Sequence, residues 1–373
     1  MARRLAALLL AACLAQLTGC ASPAYTLQAA SGHLKLMTAR EPVAAYLADA
    51  APDDPLVPRL RVAREVLAFA GESLHLPADG SYETVVRTSG SAITWNVVAT
   101  PPYDMTPQRW CFLVAGCVPY RGYFERADAE RFADRLRDRG QDVAVSGAGA
   151  YSTLGWFEDP LLESMLLRPD PDLADILIHE LAHQALYVPG DATFNESFAG
   201  FLAEQGVRAW MAASGREAEL DAWLARQRAG EAFIELLAET RRSLAAFYAS
   251  ETDPLRLAQG KRAHFAELER RYAELVATRW KGQDRYASWF EPPPNNADLA
   301  LVGTYTDGWC AFDRLWQTAK GDFHRFLALA RERAGKDAGA RARWMAEACD
   351  DPVLARGMAR GNSTGVFKRP PPR

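Results

Sequence analysis

The sequence predicts an α+β protein that is predominantly helical and has a small mixed sheet. Long stretches after residue 172 repeat apolar residues at helical spacing, whereas the β-branched and aromatic runs typical of strands are short and lie before residue 158. The 373 residues are 49% hydrophobic and 24% charged, which is ordinary for a globular protein with a sizeable core. We expect the sheet to lie beside the helix predicted at residues 172–187.

Residues 1–19 have the pattern of a signal peptide that is removed from the mature protein. Arg3 and Arg4 form a positive segment, and residues 5–14 are apolar but too few to cross a bilayer. Residues 17–20 read Leu-Thr-Gly-Cys, which is typical of a bacterial lipobox and predicts lipid attachment to Cys20. Several acyl chains on one residue would form a stable anchor. In enteric bacteria an acidic residue after the lipidated cysteine keeps a lipoprotein out of the outer membrane, and Ala21 is not acidic. We therefore expect the protein to be anchored in the outer membrane of the cell envelope and to face the periplasm.

The mature chain is expected to form one domain over residues 20–361, followed by a basic, proline-rich and disordered tail at 362–373. A net charge of −4, spread along the chain, predicts no nucleic-acid partner. No later apolar run has the length of a transmembrane helix. The oligomeric state cannot be derived from these features.

Four cysteines remain in the predicted folded body, at positions 111, 117, 310 and 349. Export to an oxidising compartment favours disulfides. Cys111 and Cys117 are separated by only five residues and form the easiest pair to close, which leaves Cys310 with Cys349 by elimination. The alternative is that some of these cysteines are buried free thiols.

The remaining elements follow from periodicity and from turn residues. Residues 25–70 read as two helices split by the turn-rich residues 51–55, and a charge-rich helix at 126–139 ends at Gly140. Four strands are predicted, at residues 93–98, 111–114, 142–145 and 151–157. Further helices are expected at 172–187, 195–213, 216–250 and 254–281, the last two as a hairpin, with shorter helices between 296 and 360.

The predicted helix at residues 172–187 contains the pentad HExxH at positions 179–183. His179 and His183 are four residues apart, so both imidazoles lie on one helical face, about 6 Å apart at Cβ. Both can reach one divalent ion, with Glu180 facing the open side of that ion. The plainer alternative is that the two histidines only cap a core helix.

A third ligand is expected on the next helix. Glu196 follows His183 by thirteen residues, and the turn at residues 188–193 lets the second helix fold back across the first. Asp191 and Glu204 are the alternative ligands. Three protein ligands with an open fourth position are typical of a catalytic Zn²⁺, although cobalt or manganese can use the same ligands. Glu180 would then be the general base that takes a proton from metal-bound water during attack on a carbonyl.

The pentad followed by Asn-Glu-Ser-Phe-Ala at residues 195–199 resembles the gluzincin metallopeptidases, whose third ligand is a glutamate on the next helix. Further strings resemble a bacterial family of zinc-dependent aminopeptidases over nearly the whole mature chain, at residues 110–112, 114–117, 120–124, 150–157, 179–190, 295–297 and 304–305. The resemblance implies a zincin-like fold, one Zn²⁺ and hydrolysis of peptide substrates, with aminopeptidase activity expected first and endopeptidase activity second. A rival hypothesis is a non-catalytic envelope lipoprotein whose zinc only pins two helices together.

The resemblance also implies roles for further positions. Residues 151–157 would be an edge strand that pairs with the substrate backbone, or else an ordinary core strand. Tyr305 would donate to the oxyanion, with His264 and His324 as alternatives. The substrate amine would need an acid, for which Glu158 and Glu163 are candidates. Gly200 stands where many gluzincins have an acid that orients a histidine, so Asp191 or Glu204 would have to serve instead.

Overall fold

The computed structural model describes residues 23–78, 80–88, 92–112, 116–148, 158–302 and 308–347. Several sequence predictions lie outside these residues: the signal peptide with Cys20, the strand at 151–157, Tyr305, Cys349 and the tail at 362–373. The described part is mostly helical with small sheets, which confirms the α+β prediction at that level.

The N-terminal region forms three helices instead of the two that the sequence predicts: α1 (Pro23–Thr38), α2 (Val43–Asp49) and α3 (Leu56–Glu72). The first two are separated by the short strand β1 (Glu41–Pro42). The residue before a proline avoids the helical region and Pro42 has no N–H to donate, so the chain is extended here. Helix α3 buries an apolar stripe at helical spacing, made of Leu56, Leu60, Ala63, Val66 and Ala70.

The strands form three small sheets in the described residues, whereas the sequence predicts one. A mixed sheet has the order β1-β2-β8, with β2 at Thr84–Val86 and β8 at Leu161–Leu162. An antiparallel sheet has the order β6-β3-β7 and comprises β3 (Thr94–Thr100), β6 (Arg121–Tyr123) and β7 (Asp142–Ala148). Helix α4 (Arg126–Arg137) shares an apolar core with this second sheet, so the two larger sheets contribute to separate cores.

The third sheet is the hairpin of β4 (Trp110–Phe112) and β5 (Gly116–Val118), in which Cys111 lies opposite Cys117. These two cysteines form a disulfide, which confirms the predicted pair. Cys310 is also disulfide-bonded. Its expected partner, Cys349, lies outside the described residues.

The main core surrounds a pair of packed helices, α6 (Asp170–Ala185) and α7 (Ala192–Ala213), which follow the short α5 (Glu163–Leu166). Pro169 and Pro171 at the start of α6 suit a helix N-terminus, where the missing N–H is not needed. The mixed sheet contributes Val85, Val86, Leu161 and Leu162 to this core. The sheet therefore lies in the same apolar core as the HExxH helix, as the sequence predicts.

A helical hairpin follows, formed by α8 (Glu217–Ser250) and α9 (Pro254–Thr278), as the sequence predicts. It has its own apolar core around Phe233, Leu237 and Leu268. After a 3₁₀ turn at Ala287–Phe290, the chain forms α10 (Asn296–Leu299), α11 (Trp309–Ala319), α12 (Phe323–Ala334) and α13 (Ala338–Met345). Among all of these described helices, none combines the length and apolarity needed to span a bilayer.

The C-terminal helices cover α7 through aromatic contacts. The Phe198 ring stacks on Phe326 with a centroid distance of 6.1 Å, and the Phe201 ring lies 4.9 Å from Trp309. Phe198 and Phe201 are completely buried. Because α7 also packs on α6, these aromatic contacts help to hold the second helix in place against the first.

Candidate metal centre

His179, His183 and Glu196 converge on one point between α6 and α7, with their ligand atoms all within 4.8 Å of one another. The two Nε2 atoms of the histidines are 3.1 Å apart. Glu196 Oε2 lies 3.4 Å from His179 Nε2, and Glu196 Oε1 lies 3.7 Å from His183 Nε2. A tetrahedral zinc ion with ligands at about 2.0–2.2 Å would separate its donors by about 3.3–3.6 Å. The three donors fit such an ion closely.

The local sequence explains this convergence. The pentad lies in the last turns of α6, and Leu177, Ile178 and Leu181 around it are buried in the main core. The turn between the helices is closed by Asn195, whose Nδ2 donates to the Val188 carbonyl oxygen at 2.8 Å. The Oδ1 of the same side chain accepts from the Val188 N–H at 2.8 Å. Asn195 thus fixes the start of α7, and the next residue is Glu196.

The electrostatics of the triad favour a positive charge at this point. Burial alone would lower the pKa of His179, but the hydrogen bond with Glu196 and the charges of Glu196, Glu180 and Asp175 raise it to about 9. Burial and the positive charge of His179 lower the pKa of His183 to about 4. Burial would raise the pKa of Glu196, but the hydrogen bond and charge of His179 hold it below its ordinary value. A cation bound by the three donors would take the place of the His179 proton.

Asp191 and Glu204, the alternative ligands, have other partners. Asp191 caps α7 by accepting from the Phe194 N–H at 3.1 Å, and its Oδ2 accepts from Arg341 Nε at 2.7 Å. Glu204 is buried and accepts from Arg208 Nε at 2.9 Å. Neither belongs to the group of three converging donors.

Asp175 is an acid near His179 that the sequence analysis missed. It lies four residues before His179 on α6, so the two side chains share one helical face. Burial raises the pKa of Asp175 to about 6, and the positive charge of His179 opposes that rise. The four-residue spacing of Asp175 and His179 within the predicted helix could have indicated that the two side chains are neighbours. On the other histidine, the buried Nδ1 of His183 has no hydrogen-bond partner within the described ranges.

Two exposed tyrosines lie beside the triad. The Tyr187 ring meets the His183 ring edge-on at a centroid distance of 6.3 Å and is 44% exposed. Tyr120 is 40% exposed, and its pKa is raised by desolvation and then by the negative charge of Glu196. The Glu196 side chain is itself 24% exposed. Solvent therefore reaches the side of the triad that carries Glu196.

The remaining predicted positions lie in other contacts. The two ring nitrogens of His264 bond with Gly260 and Ser243 on the α8–α9 hairpin, and the His324 ring lies edge-on to His75. Glu163 accepts from the Thr88 N–H at 2.8 Å. Glu158 is exposed.

Comparison with known proteins agrees with the resemblance. Residues 24–345 match the family described as "Putative aminopeptidase". The chain belongs to this aminopeptidase family. The match covers the N-terminal helices, the triad and the C-terminal helices, so family membership extends over almost the whole described chain. No curated protein and no solved structure matches the chain.

Proposed function

We propose that this protein is a zinc-dependent aminopeptidase that removes residues from peptides with a free N-terminus. The observation that carries the proposal is the convergence of His179, His183 and Glu196 beside Glu180, in a chain of the aminopeptidase family. Two imidazoles and one carboxylate are a ligand set of catalytic zinc sites. Membership of the family supports the substrate class, and the donor geometry supports a bound metal ion.

His179, His183 and Glu196 would hold one Zn²⁺, which when bound lowers the pKa of a coordinated water and polarises the substrate carbonyl. Glu180, one residue after the first ligand, would accept the proton of the attacking water and return it to the departing amine. Tyr305 is our proposed donor to the oxyanion.

A catalytic role fits this site better than a purely structural one. A structural zinc usually has four protein ligands, most of them cysteines or histidines, and is closed to solvent. Here three donors converge in the described residues, and the flank of the triad at Tyr187 and Glu196 is partly exposed. Glu180 next to the ligands would have no purpose in a closed structural site.

Zinc content and peptide hydrolysis of the wild type and of Glu180→Gln test this proposal. We expect one zinc per chain in both proteins and a fall in kcat of about 10²–10⁴-fold in the variant, because a general base contributes that much. Glu204→Gln is the matched control, since it changes a glutamate of α7 that pairs with Arg208, and it should keep both zinc and turnover. A Glu180→Gln protein that binds zinc and cleaves like the wild type would refute the enzymatic function.

Free and N-acetylated forms of one peptide distinguish the two kinds of peptidase. An aminopeptidase needs the free amine, so acetylation should abolish cleavage. Equal cleavage of both forms would instead identify an endopeptidase.

We also propose that the mature protein is anchored to the outer membrane through lipid on Cys20 and faces the periplasm. The support is the lipobox string at residues 17–20. Cys20→Ser should move the protein from the membrane fraction to the soluble periplasmic fraction. Retention of the variant in the membrane fraction would contradict the lipid anchor.

A further inference from the structure

Tyr82 combines features that a purely structural residue seldom has. Its backbone is left-handed, with φ +65°, a region that costs free energy for a residue with a bulky side chain. The side chain is only 2% exposed, yet its hydroxyl has no hydrogen-bond partner in the described part of the chain. A buried hydroxyl without a partner destabilises a fold compared with phenylalanine in the same place.

The structure holds this unfavourable conformation from both sides. The Tyr82 N–H donates to the Asp159 carbonyl oxygen at 2.7 Å. The carbonyl oxygen of the next residue, Glu83, accepts from the Val43 N–H at 2.9 Å, just before β2 begins. The left-handed turn is therefore fixed between β8 and α2 and cannot relax locally.

The same turn lies against the face of α6 that carries Glu180. Ser81 Oγ donates to Gln184 Oε1 at 3.2 Å. Glu180 and Gln184 are four residues apart on α6, so they share one helical face. Burial raises the pKa of Tyr82 well above its ordinary value, and the charge of Glu180 raises it further, followed by that of Asp159.

We propose that Tyr82 is a positioning residue whose hydroxyl donates to the Glu180 carboxylate during turnover. Such a bond would fix which carboxylate oxygen faces the reacting water. The inference rests on the proposed function, because it assigns Glu180 the role of general base. It explains why a strained backbone and a buried polar atom persist at this place.

Tyr82→Phe removes only the hydroxyl and tests the inference. We expect kcat to fall by about 10- to 100-fold with KM changed less than about threefold and with one zinc still bound. The melting temperature should be unchanged or raised, because an unsatisfied buried group is lost. In the Glu180→Gln background the substitution should reduce kcat no further, since there is no carboxylate left to position.

Tyr46→Phe is the matched control. Tyr46 is buried in the same core, but its hydroxyl donates to Asp54 Oδ2 at 2.8 Å. This variant should lose about 2 °C in melting temperature with kcat unchanged.

The results separate the two proposals. If the wild type is active and Tyr82→Phe turns over at the wild-type rate, the role of Tyr82 is overturned and the proposed function stands. A lower kcat in the double variant Tyr82→Phe, Glu180→Gln than in Glu180→Gln alone would also overturn the role of Tyr82. An inactive zinc-loaded wild type would overturn both proposals, because there would be no base to position.

Discussion

Asn195 closes the turn between α6 and α7, and we predict that its replacement by alanine weakens both the fold and metal binding. The side chain is 1% exposed and makes two hydrogen bonds of 2.8 Å with the backbone of Val188. Each such bond contributes about 1 kcal/mol net, and its loss leaves a half-buried backbone group without its partner. The free energy of unfolding should therefore fall by about 2–3 kcal/mol.

The effect on metal binding follows from the chain connectivity. Glu196 is the next residue, so a loosened turn spreads the positions of its carboxylate relative to His179 and His183. Loss of a group that holds a ligand in place typically lowers metal affinity by about 10- to 100-fold. We expect the dissociation constant for zinc to rise by about 10-fold in Asn195→Ala.

Urea unfolding gives the change in stability, and competition with a chromophoric chelator gives the change in zinc affinity. Asn296→Ala is the matched control. Asn296 is completely buried, donates to the Pro102 carbonyl oxygen at 3.0 Å and accepts from Tyr248 at 3.0 Å. It should lose similar stability while keeping the zinc affinity of the wild type. An Asn195→Ala protein within about 0.5 kcal/mol of the wild type, with unchanged zinc affinity, would refute this reasoning.

Two further predictions follow from the charges around the triad. In protein from which a chelator has removed the metal, the pKa of His179 is raised from 6.5 to about 9. The protonated form therefore stabilises the fold fully below pH 6.5, and this stabilisation is lost as the pH rises towards 9. Urea unfolding should show a loss on the order of 3 kcal/mol over that window, where the lowered pKa of His183 has no effect. Glu196→Gln should reduce the slope, because the charge of Glu196 contributes to the raised pKa of His179. Asp191→Ala should cost about 3–4 kcal/mol, because it removes a helix cap and a buried partner of Arg341, but it should keep one zinc per chain. Loss of zinc from that variant would instead make Asp191 a ligand.

Features that depend on neighbouring residues were predictable from the sequence. The pairing of His179 with His183 follows from helical geometry alone. Cys111 and Cys117 are close in the chain, and a hairpin brings them together. The long helices also follow from periodicity, with boundaries that differ by a few residues; α6, for example, begins at Asp170 instead of 172.

Features that depend on packing between distant segments were not predictable. Periodicity placed one helix over residues 25–50, but the chain forms two helices separated by β1. Pro42 is a local signal for this break, whereas the pairing of β1 with β2 depends on a segment some forty residues away. The position of Tyr82 was not predictable, because no local pattern shows that the turn before β2 packs on α6, the helix that carries Glu180. Only the positive φ and the buried hydroxyl distinguish it from an ordinary core tyrosine.

The sequence by itself determined the family, because the strings that identify it are local. It also determined that His179 and His183 share one helical face with Glu180 between them in the chain, because an α-helix repeats every about 3.6 residues. The tertiary structure decided which of three acids meets those histidines. Asp191 is held by Arg341, a residue far along the chain, and Glu204 by Arg208, which leaves Glu196 facing the imidazoles. That choice depends on how α7 folds back on α6 and on how α13 brings Arg341 to Asp191, and neither contact is encoded in local spacing. The pairing of Glu204 with Arg208 is different, because the two residues are four apart on α7.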